Sequence, residues 1–265
     1  MSGKLQNKKL FLLDMDGTIY LDGQLFPGTL PFLAKVREKG GRCLYLTNNS
    51  SKNAKKYIEK LKSMGIPARR CDFVTSVEAT VEYLQAHHRN ARLYVCGTRS
   101  LKAELRAAGF PVVKNAEEPV DALVCGFDTE LTFKKLDDCA KLLTLYPDLP
   151  YIATNPDWVC PTSYGYVPDC GSVCEMLWRA TGRRPYVIGK PQPDMVKMAL
   201  RKTGYAPEEA LLVGDRLYTD IACALNAGID GAFVLSGEGT LEDIEKTGVK
   251  PTYIYKDIGE LAKDL

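Results

Sequence analysis

The chain has 265 residues, long enough for about two compact domains or for one large α/β core that carries an insertion. Hydrophobic residues make up 45% and charged residues 26% of it, which excludes disordered, collagen-like and coiled-coil proteins. A formal charge of +2 at neutral pH gives no support to a nucleic-acid or membrane partner, so we expect neither.

Short apolar runs alternate with helical patterns along the chain, which predicts a mostly parallel sheet covered by helices. The predicted strands of this sheet are residues 10–13, 43–46, 210–213, 232–235 and 252–255. Ser50 or Ser51 is expected to cap a helix over residues 52–64, and Pro193 to open a helix that Gly204 ends. Ligands of such sheets bind in the loops after the carboxyl ends of the strands.

A second set of strands and helices is predicted between about residue 80 and residue 183. Its predicted strands lie within residues 92–97, 120–128 and 151–155, and its helices near 99–108, 132–143 and 172–181. We therefore predict an α/β fold in two parts. A Rossmann-like parallel-sheet core is formed by residues 1–79 and 184–265, and an α/β domain over residues 80–183 is inserted into it.

Cysteine and histidine patterns exclude several kinds of site. Nine cysteines occur without a C-x-x-C pair, the closest being Cys170 and Cys174, so we expect reduced thiols and neither a zinc site nor a disulfide framework. The only histidines, His87 and His88, are adjacent and do not suit a Ser-His-Asp triad or an H-E-x-x-H site. The longest early apolar run, Leu10–Leu13, is too short for a signal peptide or a membrane span, which predicts the cytoplasm.

Two carboxylates follow the first predicted strand directly. Asp14 and Asp16 stand two residues apart there, and Gly17 lets the backbone turn beneath them. Like charges this close are costly unless a cation or a proton offsets them, so the pair invites Mg²⁺. A solvated Asp-x-Asp-Gly turn explains the motif equally well when it stands alone.

Acidic residues also follow the predicted strand over residues 210–213. Asp215 and Asp220 belong to the run Gly-Asp-Arg-Leu-Tyr-Thr-Asp, where an unpaired carboxylate has no packing reason to lie. Lys190, in a Gly-Lys-Pro loop, can reach an anion, although a lone lysine more often faces solvent. The sequence thus brings several charged groups to strand ends of one predicted sheet.

Hydroxyl and amide groups follow the second predicted strand. The run Thr47, Asn48, Asn49 and Ser50 precedes a predicted helix, where free backbone N–H groups can cradle phosphate oxygens. Ordinary helix capping by Ser50 is the competing interpretation of this run.

Together the runs DMDGT, TNNS, GKP and GDRLYTD resemble, in order and without departure, the four motifs of the haloacid dehalogenase (HAD) superfamily of phosphohydrolases. The insertion between TNNS and GKP, with the runs ATNPD, VPDCGS and VIGKPQPDM, is similar to the type IIA subfamily, whose insertion is a large α/β cap domain. That subfamily includes 4-nitrophenylphosphatases and phosphatases of nucleotides, sugar phosphates, phosphoglycolate and pyridoxal phosphate. The resemblance implies a Mg²⁺-dependent hydrolase of a small phosphate ester.

The resemblance also implies roles for individual residues. Asp14 would be the nucleophile that forms an aspartyl-phosphate, and Asp16 would be the acid that protonates the leaving oxygen and later helps water attack. Asp14, the backbone carbonyl of Asp16 and Asp215 would hold Mg²⁺, and Asp220 would steady a water ligand of the metal.

Phosphate and substrate contacts are implied in the same way. The residues implied to bind the phosphoryl oxygens are Thr47, Asn48, Asn49 and Lys190. In the cap, Phe127 and Cys160 correspond to positions close to the organic part of the substrate, with packing inside the cap as the competing interpretation. An Asp22-Gly23 turn between short apolar runs predicts the small hairpin that the family carries beside its nucleophile.

Three alternatives to an enzyme of this kind are open from the residues alone. A dinucleotide-binding oxidoreductase is disfavoured because the only G-x-G, at Gly237 and Gly239, lies late and lacks a third glycine. A phosphoaspartate receiver module without turnover also uses strand-end Asp residues and a Lys, but the insertion and Asp16 favour turnover. A degenerate relative that only binds would lack a motif residue, and none is missing. The residues alone leave open whether the protein forms a homodimer.

Overall fold

The computed structural model describes residues 4–162 and 164–265. The strands in this part of the chain are β1 (Leu10–Leu13), β2 (Tyr20–Leu21), β3 (Gln24–Leu25), β4 (Arg42–Thr47), β5 (Phe73–Thr75), β6 (Leu93–Cys96), β7 (Ala122–Cys125), β8 (Tyr151–Ala153), β9 (Val159–Thr162), β10 (Gly165–Pro168), β11 (Tyr186–Val187), β12 (Ala210–Gly214), β13 (Asp230–Val234) and β14 (Tyr253–Tyr255). The α-helices are α1 (Thr29–Glu38), α2 (Ala54–Ser63), α3 (Ser76–His87), α4 (Arg99–Ala107), α5 (Phe133–Leu145), α6 (Cys170–Thr181), α7 (Asp194–Thr203), α8 (Ala222–Asn226), α9 (Leu241–Thr247) and α10 (Ile258–Leu261). None of the helices described is both long and apolar enough to cross a membrane.

The chain forms two compact units. The first unit comprises the chain up to Thr47 together with Tyr57–Val74 and Lys190–Leu265, and the second comprises Asn48–Lys56 and Thr75–Gly189. The boundaries between these units lie within a few residues of the predicted domain boundaries at 79/80 and 183/184. The units differ from the predicted domains in one respect, because the segment after β4 belongs to the second unit. The domain boundaries given in the sequence analysis stay a prediction.

The first unit is built on a six-stranded sheet in the order β14-β13-β12-β1-β4-β5. Its pairings from β14 through β4 are parallel, with Leu13 of β1 opposite Val213 of β12 and Tyr45 of β4. All four residues of β1 are buried, as expected for a central strand with both faces covered. The predicted α/β class and the five predicted strands of this sheet are confirmed, and the edge strand β5 was not predicted.

Local signals in the first unit are mostly borne out. Gly204 ends α7 in a left-handed conformation (φ 76°), which a residue without a Cβ adopts at little cost. Asp22 and Gly23 also have positive φ, 49° and 77°, and join β2 to β3 in an antiparallel hairpin. The small hairpin predicted after the first strand is therefore present.

The predicted cap of the helix after β4 is wrong. This helix, α2, begins at Ala54, and the Asn53 side-chain oxygen accepts a hydrogen bond from the Lys56 N–H (3.1 Å). Ser50 does not cap it, because its hydroxyl accepts the Phe127 N–H (2.9 Å) inside the second unit. The Ser50 side chain, which the local pattern predicted as a helix cap, therefore makes a tertiary contact with Phe127 instead.

The second unit has its own four-stranded parallel sheet in the order β11-β8-β7-β6, and the hairpin β9-β10 is a separate antiparallel pair. A hydrophobic core that includes Leu123, Leu142 and Leu177 lies between this sheet and the helices α5 and α6. Three free thiols that no sequence motif connects, Cys96, Cys125 and Cys139, meet in this core.

Candidate active site

Aspartates of the first unit lie at the carboxyl edge of its sheet. Asp14 follows β1 directly, and its N–H donates to the carbonyl of Val213 on the neighbouring strand β12 (2.9 Å). Asp215 follows β12 directly. Because β1 and β12 are parallel and in register, the two carboxylates reach the same edge.

Three carboxylates converge at this edge. Carboxylate oxygens of Asp14, Asp215 and Asp220 all lie within 4.8 Å of one another. Asp220 belongs to a single π-helical turn, Leu217–Ile221, which directs its side chain back toward the end of β12. Asp215 and Asp220 are almost completely buried. A buried group of like charges requires positive charge or protons nearby.

Lys190 supplies positive charge to this cluster. Its ammonium donates to Asp14 Oδ1 (2.6 Å) and to Asp220 Oδ1 (2.6 Å), and its side chain is 3% exposed. Burial by itself would lower the pKa of the Lys190 ammonium, but attraction to the two carboxylates outweighs burial and raises that pKa. Lys190 therefore stays charged between them.

Burial changes the proton affinity of the acids as well. Loss of hydration raises the pKa of Asp14 well above its ordinary value, and the nearby Lys190 offsets this only in part. Burial, followed by repulsion from Asp220, raises the pKa of Asp215 to about 7. With all three acids ionised and one ammonium, the cluster carries a charge of −3 + 1 = −2.

The cluster fits a divalent cation. Carboxylate oxygens are the hard ligands that Mg²⁺ and Ca²⁺ prefer, and a charge of +2 balances the excess of the ionised group. Two glycines pack closely against Asp215, because a Cβ on Gly17 or on Gly237 would overlap its carboxylate. One oxygen of Asp215 is fixed by the Glu238 N–H (2.8 Å), which orients the other.

Asp16 lies in a different environment from Asp14. The Tyr20 hydroxyl donates to Asp16 Oδ2 (3.0 Å), and the Lys60 ammonium donates to Asp16 Oδ1 (3.2 Å). Lys60 also lies over the Tyr20 ring, 3.8 Å from its centroid. The Asp16 side chain is 39% exposed, so it can exchange protons with solvent.

Sequence reasoning missed both partners of Asp16. Tyr20 follows Asp16 by four residues and lies at the start of the predicted hairpin, a local signal that could have pointed to it. Lys60 is 44 residues away on α2, and no motif surrounds it. Only the packing of α2 beside the sheet brings this lysine to the carboxylate.

The predicted phosphate-binding run is divided between the two units. Thr47 is the buried last residue of β4, the strand next to β1. Asn48 belongs to the second unit, where its amide nitrogen donates to Asp157 Oδ2 (2.7 Å). The Asn49 side-chain oxygen accepts from the N–H (3.0 Å) and the hydroxyl (2.7 Å) of Ser51. These amides therefore have defined orientations within the second unit.

The two residues predicted to contact the organic part of the substrate lie in the second unit. Phe127 follows β7, and its side chain is buried. Cys160 is half-buried on β9, with its sulfur 4.0 Å from the Asn49 amide nitrogen. The neighbouring Trp158 is about half exposed. The contact with Asn49 joins the predicted specificity residue to the predicted phosphate-binding run.

Family models match most of the chain. A model described as haloacid dehalogenase-like hydrolase matches residues 11–111, and a second HAD-hydrolase-like model matches residues 187–261. The first match contains Asp14, Asp16 and Thr47, and the second contains Lys190 and Asp215. Both matches therefore include residues of the carboxylate cluster.

Curated relatives match along nearly the whole length. An acid sugar phosphatase from Staphylococcus aureus strain MRSA252 is 36% identical over 261 residues, which are 98% of this chain and 99% of the relative. The similarity therefore extends through the second unit as well as the first.

Solved structures share the same arrangement. A 4-nitrophenylphosphatase from Thermotoga maritima is 43% identical with a TM-score of 0.90, covering 98% of each chain. A glycerol phosphate phosphatase from Mycobacterium tuberculosis in complex with magnesium is 32% identical with a TM-score of 0.90, covering 99% of this chain and 80% of the other. The same mycobacterial protein was also solved in complex with calcium.

Proposed function

Because the chain belongs to the haloacid dehalogenase-like hydrolases, as a phosphatase of the type IIA subfamily, we propose that it hydrolyses a small sugar or polyol phosphate with Mg²⁺. The observation that carries this proposal is the contact of the strand-end carboxylate of Asp14 with Lys190, beside Asp215 and Asp220. A half-buried nucleophile, a fixed ammonium group and two further acids suit phosphoryl transfer with a divalent metal.

In the first step, an Asp14 oxygen attacks the phosphorus of the ester. The bond between phosphorus and the ester oxygen breaks, and Asp16 gives its proton to that oxygen, so that an alcohol leaves and an aspartyl-phosphate remains. The exposure of Asp16 supports its role as the acid, since the leaving oxygen and later a water molecule can reach it. Lys60 and Tyr20 hold both of its oxygens in place.

In the second step, water attacks the phosphorus of the aspartyl-phosphate. Asp16 takes the proton of the water, the bond between Asp14 and phosphorus breaks, and inorganic phosphate leaves. The enzyme thereby returns to its starting protonation state. The residues proposed to bind the phosphoryl oxygens are Thr47, Asn48, Asn49 and Lys190.

The site takes a divalent cation, and we propose that this cation is Mg²⁺. Asp14, the backbone carbonyl of Asp16 and Asp215 would hold it, with Asp220 fixing a water ligand. When bound, the metal neutralises negative charge on the phosphoryl group and on the carboxylates. Burial, with a smaller contribution from neighbouring carboxylates, raises the pKa values of Asp14 and Asp215, and this supports the assignment because a cation would stabilise the ionised acids.

The proposed substrate class follows from the relatives. One is named an acid sugar phosphatase and another a glycerol phosphate phosphatase, so both names describe phosphates of polyhydroxylated carbon chains. Nucleotide monophosphates, phosphoglycolate and pyridoxal phosphate are the other candidates within the subfamily. A cytoplasmic location, a homodimer and the absence of nucleic-acid or membrane partners stay predictions.

Release of inorganic phosphate from a panel of esters tests the proposal. We expect turnover of 4-nitrophenyl phosphate and of at least one sugar or polyol phosphate, dependent on Mg²⁺ and lost after treatment with a chelator. Asp14→Asn should lower kcat by at least ~10³-fold, because it removes the attacking oxygen. Absence of turnover across the panel, with uptake of one phosphoryl group from acetyl phosphate, would instead support a receiver module.

A further inference from the structure

Three cysteine sulfurs, from two neighbouring strands and one helix, lie close together in the core of the second unit. The Sγ atoms of Cys96 on β6, Cys125 on β7 and Cys139 on α5 all lie within 4.8 Å of one another, and all three side chains are fully buried. We propose that these three residues form a binding site for one soft, thiophilic metal ion of the Cu(I) class, separate from the phosphatase site.

The spacing of the sulfurs suits such an ion. Metal–sulfur bonds of about 2.3 Å place three sulfurs around one ion at about 4 Å from each other. The observed limit of 4.8 Å therefore requires only small side-chain adjustments. Cys96 and Cys125 are fixed opposite each other by the parallel pairing of β6 and β7, so two of the three ligands are held in place by the sheet.

The number of sulfurs favours a three-coordinate ion. Thiolates select soft ions, of which Cu(I) and Zn²⁺ are the common cellular examples. A structural Zn²⁺ site requires four ligands in a tetrahedron. A further thiol, Cys174, contacts Cys125 of the cluster as well as Cys170 (Sγ–Sγ 3.9 Å), but it lies outside the group of sulfurs that are all within 4.8 Å of one another, which has three members.

The surroundings also suit a charged thiolate complex. The ammonium of Lys135, which is paired with the buried carboxylate of Asp128 (2.6 Å), also donates to the carbonyl of Gly97, the residue after Cys96 (3.2 Å). Buried leucines, among them Leu123 and Leu142, belong to the same core and exclude water and competing oxygen ligands. A bound ion would join two strands and a helix and stabilise this unit.

Titration of reduced, metal-free protein with Cu(I) under anaerobic conditions, against a chromophoric Cu(I) chelator, tests the proposal. Because the sulfurs are buried, the protein is loaded both by incubation and by refolding from denaturant with the ion present. We expect one Cu(I) per chain, a thiolate charge-transfer band in the ultraviolet, three sulfur neighbours by X-ray absorption and a higher melting temperature. Failure to retain Cu(I) after both loading routes would overturn the site and leave the thiols as packing groups.

Variants separate this cluster from the other thiols. Cys139→Ala and, independently, Cys96→Ala should abolish the stoichiometric ion, the absorption band and the thermal shift. The matched control is Cys71→Ala, which removes an exposed thiol of the first unit and should bind as the wild type does. The assignment would be contradicted if the folded cluster variants still bound Cu(I) as the wild type does, or if Cys71→Ala lost Cu(I) binding. Tighter binding of Zn²⁺ than of Cu(I) by the wild type would also contradict it.

Discussion

Asp14 and Asp16 stand two residues apart, yet the fold gives them different partners. Asp14 is paired with a buried ammonium that has little freedom to move, as suits a nucleophile that must be aligned with phosphorus. Asp16 is partly exposed and held by a hydroxyl and by the lysine of a neighbouring helix, as suits a group that exchanges protons in each turnover. Environment therefore separates the two proposed roles.

Asp16→Asn should separate the two chemical steps. The variant keeps the nucleophile but has no acid, and 4-nitrophenolate leaves without needing a proton. We expect a burst of about one 4-nitrophenolate per active site, followed by turnover slower by at least ~10³-fold. Esters of ordinary alcohols should show no burst, since their leaving oxygen needs the proton. Rapid-quench kinetics with both ester types measures this, and steady turnover without a burst would refute the role of Asp16.

The loops at the carboxyl edge of the sheet surround Asp215 closely. The loop after β1 and the loop after β13 are joined by a hydrogen bond from the Ser236 hydroxyl to the carbonyl of Gly17 (2.7 Å). Gly17 and Gly237 pack their Cα atoms against the Asp215 carboxylate, where any side chain would collide with it. These loops thus fix the direction of a proposed metal ligand by close backbone contacts and by the Thr18 hydroxyl, which lies 3.5 Å from Asp215 Oδ1.

Gly237→Ala should therefore act on metal affinity. The added methyl group would displace the Asp215 carboxylate, and we expect the Mg²⁺ concentration for half-maximal activity to rise by at least ~10-fold. The matched control is Gly248→Ala, at a helix end with φ 70° and open space around it, which should cost about 1 kcal/mol of stability and leave the Mg²⁺ dependence unchanged. Equal Mg²⁺ dependence in both variants would show that Asp215 does not bind the metal.

The whole first unit should respond to pH through its buried acids. The pKa of Asp215 is about 7 in the folded chain, above its ordinary value near 4, so the folded state favours the protonated acid. The stability that this provides is present at low pH and is lost as pH rises from about 4 through about 7. We expect a divalent cation to take the place of this proton at high pH.

Mg²⁺ should consequently stabilise the protein more at pH 8 than at pH 5. Melting temperatures with excess Mg²⁺ and with a chelator, compared at the two pH values, measure the effect. Asp215→Asn, which has no titrating group at this position, should lose most of the difference between the two pH values. An equal Mg²⁺-induced shift at pH 5 and pH 8 in the wild type would argue against metal binding by these acids.

We predict that substrate discrimination resides in the second unit, whereas the proposed nucleophile, acid and metal ligands lie in the first. Every phosphate ester presents the same phosphoryl group, so selectivity must come from residues that meet the remainder of the substrate. We expect Cys160→His and Phe127→Ala to change the ranking of kcat/KM among sugar and polyol phosphates, with less effect on acetyl phosphate. A uniform loss for all substrates would indicate that the two residues only maintain packing.

The sequence by itself determined five of the six strands in the sheet of the first unit and the acids at its edge. Strand β1 is a continuous apolar run, and Asp14 is the residue that follows it. The position of Asp14 at the end of the strand could therefore be predicted from adjacent residues alone. The hairpin at Asp22 and Gly23 is equally local, since turn type depends on which residues tolerate positive φ. The family motifs then indicated the chemistry.

Only the tertiary structure decided which distant groups meet. Lys60 reaches Asp16 across 44 residues, and Ser50 bonds to Phe127 across 77 residues instead of capping the adjacent helix. The cysteine cluster likewise collects sulfurs from two strands and a helix that carry no ligand motif. Such contacts depend on how helices pack against sheets, which is set by the sum of many weak contacts and leaves no periodic signal at the residues concerned.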